Sequence, residues 1–544
     1  MCGILAFFKN NVDESWKDEC HKRAKTLKPR GPDKYKYIFL KNLFMGFQRL
    51  SIMDLSSLGD QPFTDSSQST ILICNGEIYN YKYLIEKYNL PVKSDSDCEV
   101  ILHMYIKYGI RKTVENLDGD FAFVIYDKNR KELIAARDSF GVRPLFISVD
   151  DSVVLSSELK GLYGLKNVKA FPIGSYWTCH IGSGINPSPF QVYNYINNKS
   201  ICLTNGSSFI SPNHTYLSCS LDTIKEQVRN RLELSVKKRL QSDRKIGCLL
   251  SGGLDSSLIT ALVKKLSKSN VVTYSVGLEG SVDLEYARKV ASYLGTEHHE
   301  IIFTESIGLQ AIDNVIYAIE SWDTTTVRAS VPMWLMCKYI SEHTPDVKVI
   351  MSGEGADEVC QGYLYFHNQP NPLEGHKESV RLIQDLLYFD VLRSDRSISS
   401  HGLEARVPFL DKDFVHFYMS IPPEYRCPNK KGEKWLLRES FSGENLIPDE
   451  ILWRRKDGLS DGCSSLNRPW YSVIQEKAEK EISDEDMKNA NEKYSHCPPK
   501  TKESLMFRNI FHKHFPERDD IIPYQWLPKW SGDIVNPSGR LIEI

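Results

Sequence analysis

The sequence predicts a multidomain α/β protein, with packed antiparallel sheets and covering helices in its first part and a mostly parallel sheet in its second. Three observations carry this. At 544 residues the chain is too long for one hydrophobic core. Up to about residue 180, short apolar or alternating runs recur between Gly, Pro, Asp and Asn, the mark of strands. From about residue 220, apolar runs alternate with helix-period segments, the mark of strands joined through helices.

The first part contains the strand candidates Ile4–Phe8, Met45–Arg49, Ile71–Asn75, Phe121–Tyr126, Leu133–Arg137 and Val153–Leu155. The pattern loosens after Ser183, and 186–219 reads as a linker rich in Asn, Ser, Pro and Thr. Ile224, Val228, Leu232, Val236 and Leu240 then recur every four residues among charges, an amphipathic helix. Strands follow at Ile246–Leu250, Val271–Val276, His299–Phe303 and Val347–Met351. Helical segments Leu258–Leu266, Glu285–Leu294 and Ile307–Ile319 separate them. Beyond about 360 the chain reads as mainly helical. The expected division is 1–185, the linker 186–219, a second domain over 220–520 and a tail over 521–544.

Composition narrows the function classes. Hydrophobic residues make up 41% and charged residues 25%, as in ordinary globular proteins. A net charge of −2 gives no electrostatic case for nucleic acid or an anionic membrane. No apolar run reaches the length of a membrane span, and no secretory leader is visible. Thirteen scattered cysteines without Cys-x-x-Cys read as reduced cytosolic thiols. The sequons at Asn198, Asn205 and Asn213 are then chance matches.

The segment Ser251-Gly252-Gly253-Leu254-Asp255-Ser256-Ser257 follows an apolar strand and precedes a helix. Paired glycines let backbone approach an anion, while hydroxyls and helix-start N–H groups donate to it. No Gly-Lys-Ser/Thr ending is present, which points away from γ-phosphate transfer and toward splitting ATP into AMP and pyrophosphate. Asp255 is placed to reach a Mg²⁺ on the phosphates. Ser352-Gly353-Glu354-Gly355-Ala356-Asp357-Glu358 follows another strand, so both loops belong at one carboxyl edge. Its acidic residues suit metal binding or proton transfer, or form a plain acidic turn. Lys456, in Trp453-Arg454-Arg455-Lys456, is either a point charge for phosphates or a solvated cation.

At the other end, removal of Met1 would leave Cys2 carrying both a thiol and a free α-amine. An amine with a pKa near ~8 can take the thiol proton near neutrality. Asn75 and the Gly76 N–H are oxyanion donors by type, and Arg49 can clamp a carboxylate through two bonds. Glu77 or Asp97 can meet an α-amine. An amino acid with a carboxamide side chain is the natural guest.

These residues carry a family resemblance. The chain resembles the glutamine-dependent asparagine synthetases over nearly its whole length. Further strings that carry the resemblance are Arg30-Gly31-Pro32-Asp33, Gln48-Arg49-Leu50 and Asn75-Gly76-Glu77-Ile78-Tyr79-Asn80, with Thr325-Thr326-x-Arg328 and His401-Gly402-Leu403-Glu404-x-Arg406 in the second part. The resemblance implies an N-terminal-nucleophile αββα glutaminase sandwich and a synthetase domain of the ATP-pyrophosphatase type. It implies Cys2 as nucleophile, Asn75 and Gly76 as oxyanion hole, and glutamine held by Arg49, Leu50, Ile52, Glu77 and Asp97. It implies ATP on Leu250, Ser251, Gly252, Gly253, Asp255, Ser256, Ser257, Val276, Ser352 and Gly353, with Mg²⁺ on Asp255 and Asp357. Glu354 matches a residue tied to forming the aspartyl-adenylate, and Lys456 one that stabilises phosphate charge. Thr325, Thr326 and Arg328 match contacts to phosphates or intermediate, and Asp390 and Arg393 match aspartate recognition. The substrates implied are glutamine, aspartate and ATP, in a cytosolic homodimer. One departure stands out: many relatives have His before Arg30, where this chain has Pro29.

Three other readings are weaker. Another Cys2 amidotransferase would not need the Ser251 loop, and another pyrophosphate-forming ligase would not need Cys2 and Arg49. A non-catalytic regulator would be expected to lose Cys2, Asp255 or Lys456, and all three are present.

Overall fold

The computed structural model describes residues 1–182, 184–194, 217, 219–267 and 269–541, with the backbone of 201–204 and 207–210. The three sequons and part of the linker lie outside the described residues. The chain forms two compact units. The first comprises Met1–Tyr195 with Gln241–Arg244 and Ser399–Glu404, and the second comprises the rest. Two short segments from far along the chain therefore complete the first unit, and the segment expected as a tail packs within the second.

The first unit is built from strands β1 (Gly3–Lys9), β2 (Lys34–Phe39), β3 (Leu43–Arg49), β4 (Phe63–Thr64), β5 (Thr70–Ile78), β6 (Gly119–Asp127), β7 (Glu132–Arg137), β8 (Phe146–Val149), β9 (Ser152–Ser156), β10 (Val168–Ala170), β11 (Ser175–His180), β12 (Asn186–Pro187) and β13 (Gln191–Val192). One antiparallel sheet runs β10-β8-β9-β1-β3-β2 and the other β12-β11-β7-β6-β5-β4, with β13 also on β11. The two-residue period of a strand explains the layering. On β5, Ile71 and Ile73 point into the core between the sheets with Ile4, Ala6, Met45, Phe47 and Val124. Leu72 and Cys74 point the other way, under helices α2 (Tyr81–Tyr88) and α3 (Glu99–Asn116), against Leu84, Ile101 and Met104. Helix α1 (Trp16–Lys25) covers β1 and β3 from outside. The αββα sandwich is present as expected. The sequence reading missed β2, β4, β8, β10 and β11 and helices α1 to α3, and it placed β12 and β13, which pair with β11, in the linker.

The second unit opens with α4 (Leu221–Lys238), which buries Ile224, Val228, Leu232 and Val236 as their spacing predicts. Its sheet is formed by β14 (Lys245–Leu249), β15 (Val272–Gly277), β16 (Glu297–Ile302), β17 (Val347–Met351) and the short β18 (Glu404–Arg406), in the order β16-β15-β14-β17-β18. β14 pairs in parallel with both β15 and β17. Helices α5 (Leu254–Leu266), α6 (Val282–Leu294), α7 (Glu305–Ile319) and α8 (Thr324–His343) make the crossovers. The chain steps outward from β14 to β15 and β16, then returns to β17 on the other side of β14. That reversal is a topological switch point, where the loops leaving β14 and β17 part and open a crevice. α8 was not expected from the sequence. Among the described residues, no helix is long and apolar enough to cross a membrane.

Candidate active sites

In the first unit Cys2 lies just ahead of β1. The Leu50 N–H donates to its Sγ at 3.4 Å, and the thiol reaches the Leu50 carbonyl at 3.6 Å. The terminal ammonium, on Met1, donates to the Leu403 carbonyl at 2.9 Å. Burial lowers that ammonium to about 5 and pushes the Cys2 thiol up to about 11. Arg30 Nε donates to the Cys2 carbonyl at 2.9 Å, so the residue after Pro29 fixes the backbone of the nucleophile.

Asn75 and Gly76 sit inside β5, opposite Ala122 and Phe121 of β6. Asn75 is 1% exposed, yet its Nδ2 has no hydrogen-bond partner among the described residues. A buried donor left open costs about 1–3 kcal/mol, which marks a position kept for something other than stability. A Cβ on Gly76 would meet the Asp120 carbonyl at 2.6 Å, so only glycine lets the strands approach here. Glu77 and Asp97 are both buried, and Asp97 accepts from the Ile78 N–H at 2.6 Å.

Arg49 ends β3, followed by the buried residues Leu50 and Ile52. Its guanidinium donates to the Ser56 carbonyl at 2.8 Å, to Asp60 at 2.5 Å and to the Asp54 carbonyl. Asp60 also takes Lys34 and, at 2.8 Å, Lys36. Burial alone would raise the Asp60 carboxyl, but these three cations outweigh it and hold it at about 2. Arg49 therefore fastens the 53–60 loop. Asp60 was missed from sequence because it stands in a polar turn with nothing to set it apart.

In the second unit, the switch-point crevice is a cavity lined by the ends of both loops. Ser251, Gly253, Asp255 and Ser256 line it from the β14 side, and Ser352, Gly353, Glu354 and Asp357 from the β17 side. Leu250 and Val276 close its floor, Thr325 and Thr326 enter from the first turn of α8, and Asp390, Arg393 and Lys456 complete the wall. α5 begins at Leu254 with Gly253 as its cap, four residues earlier than the sequence suggests. Asp255 to Ser257 therefore lie in its first turn, where backbone N–H groups have no partner within the helix.

Three expected contacts are absent from this lining. Gly252 has φ +70°, and a Cβ there would lie 2.4 Å from the Ala287 nitrogen, so it packs the loop onto α6. Ser257 is fully buried behind the loop. Arg328 turns away: Glu503 takes its Nε at 2.7 Å and its Nη2 at 2.6 Å, in a pair sealed from solvent. The carboxylate satisfies the guanidinium fork, so the expectation that Arg328 meets phosphate or intermediate does not match its position.

Charge in the cavity is organised around Lys434, which sequence reading passed over. Its Nζ lies 2.5 Å from Asp255 and 2.5 Å from Asp357, and Lys456 pairs with Asp357 at 2.6 Å. Burial opposes ionisation of Asp357, but the two lysines outweigh it and hold the carboxyl well below its ordinary range. Burial likewise opposes the Lys456 ammonium, and Asp357 and Asp255 hold its pKa above the ordinary lysine value. Arg393 pairs with Glu354 at 2.7 Å and Asp390 at 2.8 Å. Burial nevertheless leaves Glu354 raised, because Asp390 adds to it.

Among the described residues, no group of three or more His, Cys, Asp and Glu side chains could cage a metal. Asp255 and Asp357 share one lysine, so they lie close together, and Asp255 Oδ1 has no hydrogen-bond partner among the described residues. Two hard oxygen donors fit a Mg²⁺ whose remaining positions belong to phosphate and water.

The C-terminal segment also lines the cavity, through Trp526, Pro528, Pro537 and Gly539. The Trp526 N–H donates to Asp323 at 2.8 Å, the residue whose other oxygen caps α8 through the Thr326 N–H at 3.0 Å.

Comparison with known proteins adds to this geometry. A glutamine amidotransferase domain family matches residues 1–202, and an asparagine synthase family matches 227–375 and 370–536. The chain is 42% identical over 560 residues to an asparagine synthetase [glutamine-hydrolyzing] of Cricetulus griseus, covering 100% of this chain and 98% of the relative. It is 41% identical over 560 residues to the Homo sapiens protein of the same description, again at 100% and 98% coverage. Among solved structures, a glutamine phosphoribosylpyrophosphate amidotransferase from B. subtilis, complexed with ADP and GMP, matches at TM-score 0.32 and 13% identity. It covers 56% of this chain and 91% of that one.

Proposed function

The chain belongs to the glutamine-hydrolysing asparagine synthetases, and from that premise we propose how its own residues divide the work. The enzyme makes L-asparagine from L-aspartate at the expense of ATP, with glutamine as the nitrogen donor. The observation that carries the residue assignment is the buried Asn75 Nδ2, without a hydrogen-bond partner among the described residues, in the unit that also holds the Cys2 thiol.

Once Met1 is removed, the α-amine of Cys2 accepts the thiol proton and the sulfur attacks the side-chain carbonyl of glutamine. Asn75 Nδ2 and the Gly76 N–H receive the oxyanion, ammonia leaves, and water hydrolyses the thioester to glutamate. Arg49 takes the glutamine carboxylate, and Glu77 and Asp97 its amine, with Leu50 and Ile52 as the backbone rim. In the other unit, the 251–257 loop receives the phosphates, with Leu250, Val276, Ser352 and Gly353 around the nucleotide. The β-carboxylate of aspartate attacks the α-phosphorus, pyrophosphate leaves, and ammonia then displaces AMP from the β-aspartyl adenylate. Mg²⁺ bound by Asp255 and Asp357 would supply charge neutralisation on the phosphates. Lys456 and Lys434 add fixed positive charge there, while Glu354, Asp390 and Arg393 form the aspartate end and Thr325 and Thr326 border the intermediate. A cytosolic homodimer is carried over from the family resemblance, and the free cysteines fit a reducing compartment.

The test supplies aspartate, Mg-ATP and glutamine labelled with ¹⁵N at the side-chain amide, and follows asparagine, AMP and pyrophosphate together. Labelled asparagine is expected alongside AMP and pyrophosphate. Its loss in Cys2→Ala, with rescue by ammonium, assigns the nitrogen to the first unit. Glutamate without asparagine would overturn the synthetase assignment.

A further inference from the structure

We infer that the C-terminal segment Pro523–Leu541 is a strap that positions the loop carrying Lys456, with Arg540 as its main positioning residue. The inference deepens the proposed synthetase site and rests on that reading for its catalytic meaning.

The loop needs such a device. From Arg454 to Gly458 it has no regular structure, and only the short turn Leu459–Gly462 follows. Its place is therefore set by side-chain ties rather than by helix or sheet hydrogen bonds. On one side Arg454 pairs with Asp283 at 2.8 Å and donates to the Ser251 carbonyl at 3.3 Å. On the other side the strap supplies the ties. Arg540 pairs with Asp457, the residue next to Lys456, at 2.9 Å and donates to the Ser465 carbonyl at 3.2 Å. Ser538 Oγ and the Gly539 N–H donate to the two oxygens of Asp461 at 2.7 and 3.0 Å.

The strap is itself anchored. The Trp526 N–H is fixed on Asp323, the cap of α8. Asn536 Oδ1 accepts from Arg328 Nη1 at 2.9 Å, and Arg328 is immobilised by Glu503. Arg328 thus acts by holding the strap, at a distance from the phosphates. The result ties the helix carrying Thr325 and Thr326 to the loop carrying Lys456, along the wall that Trp526, Pro537 and Gly539 form.

The loop sequence Arg454-Arg455-Lys456 offers trypsin three consecutive cleavage sites, so its opening is directly measurable. Full-length wild type, Arg540→Ala, Arg540→Lys and Ser538→Ala are digested briefly without ligands, and cleavage after 454–456 is followed by mass spectrometry. Aspartate-dependent pyrophosphate release and glutaminase activity are assayed in parallel. Losing a partly buried ion pair and its companion hydrogen bond should speed loop cleavage by about tenfold in Arg540→Ala. Pyrophosphate release falls with a raised KM for ATP, glutaminase activity is unchanged, and Arg540→Lys recovers most of both losses. Unchanged loop cleavage in both Arg540→Ala and Ser538→Ala would overturn the strap. Absence of pyrophosphate release in wild type would instead overturn the synthetase reading and leave the protease comparison intact.

Discussion

Asp60 meets Arg49 at 2.5 Å, and both side chains are nearly sealed from solvent, at 2% and 6% exposed. A carboxyl held at about 2 rather than 3.8 stabilises the folded state above pH 4 and loses that contribution as pH falls toward 2. A shift of that size is worth about 2 kcal/mol. Urea unfolding of wild type and Asp60→Asn is expected to show a stability gap at pH 5 that narrows by about this amount at pH 2. A gap independent of pH would break the assignment.

Asn75→Ala removes a donor, Nδ2, that bonds nothing among the described residues. Folding stability should therefore be unchanged or slightly increased, while glutaminase kcat falls by about 10²–10³. Ammonium-dependent asparagine formation stays at the wild-type level. Thermal unfolding together with the two assays separates a catalytic donor from a structural one.

Lys434→Met leaves Asp255 and Asp357 facing each other without the ammonium between them. Removing one member of a buried charge cluster costs about 3–5 kcal/mol, so pyrophosphate release should drop by at least about 10². Raising Mg²⁺ should recover part of the loss, because a divalent cation restores charge between the carboxylates. Calorimetric titration of the variant with Mg-ATP would show the weakened site without relying on turnover.

With Met1 attached, a Cys2 thiol at about 11 is a thiolate in roughly one molecule in 10³–10⁴ at pH 7.5. Protein shown by intact mass to retain Met1 is expected to have background glutaminase activity and normal ammonium-dependent synthesis. Equal glutaminase activity in retained and processed protein would remove the α-amine from the mechanism.

Gly252→Ala is expected to be more damaging than its size suggests. The added Cβ meets backbone of α6 at 2.4 Å, and φ +70° disfavours any side chain. ATP protection of the second unit against heat should disappear, while glutaminase activity persists.

The sequence made the architecture and the placing of many candidate site residues legible, for physical reasons visible in particular residues. β5 was readable because its alternating faces are both buried and apolar, and the Ser251 loop because its glycines stand between an apolar strand and a helix. Edge strand β2 was not readable, since Lys34, Lys36 and Tyr37 give it an exposed, polar texture. Lys434 was hidden in a basic run, Lys430-Lys431-Gly432-Glu433-Lys434, that resembles solvated surface. Arg328 sits in a recognisable motif, yet its partner Glu503 lies 175 residues away, beyond any local pattern. Local periodicity reports which face is buried; it does not report which distant charge will arrive there.

The interleaving of the first unit also sets an order of events during synthesis. Arg30 receives Ser399 from 369 residues downstream, and Arg143 receives Glu404. At 5–20 residues per second the ribosome delivers Ser399 about 20–70 s after Arg30. Until then the glutaminase sandwich lacks part of its interior. A gene fragment ending at residue 195 would encode this half without Gln241–Arg244 and Ser399–Glu404, the two segments that complete it.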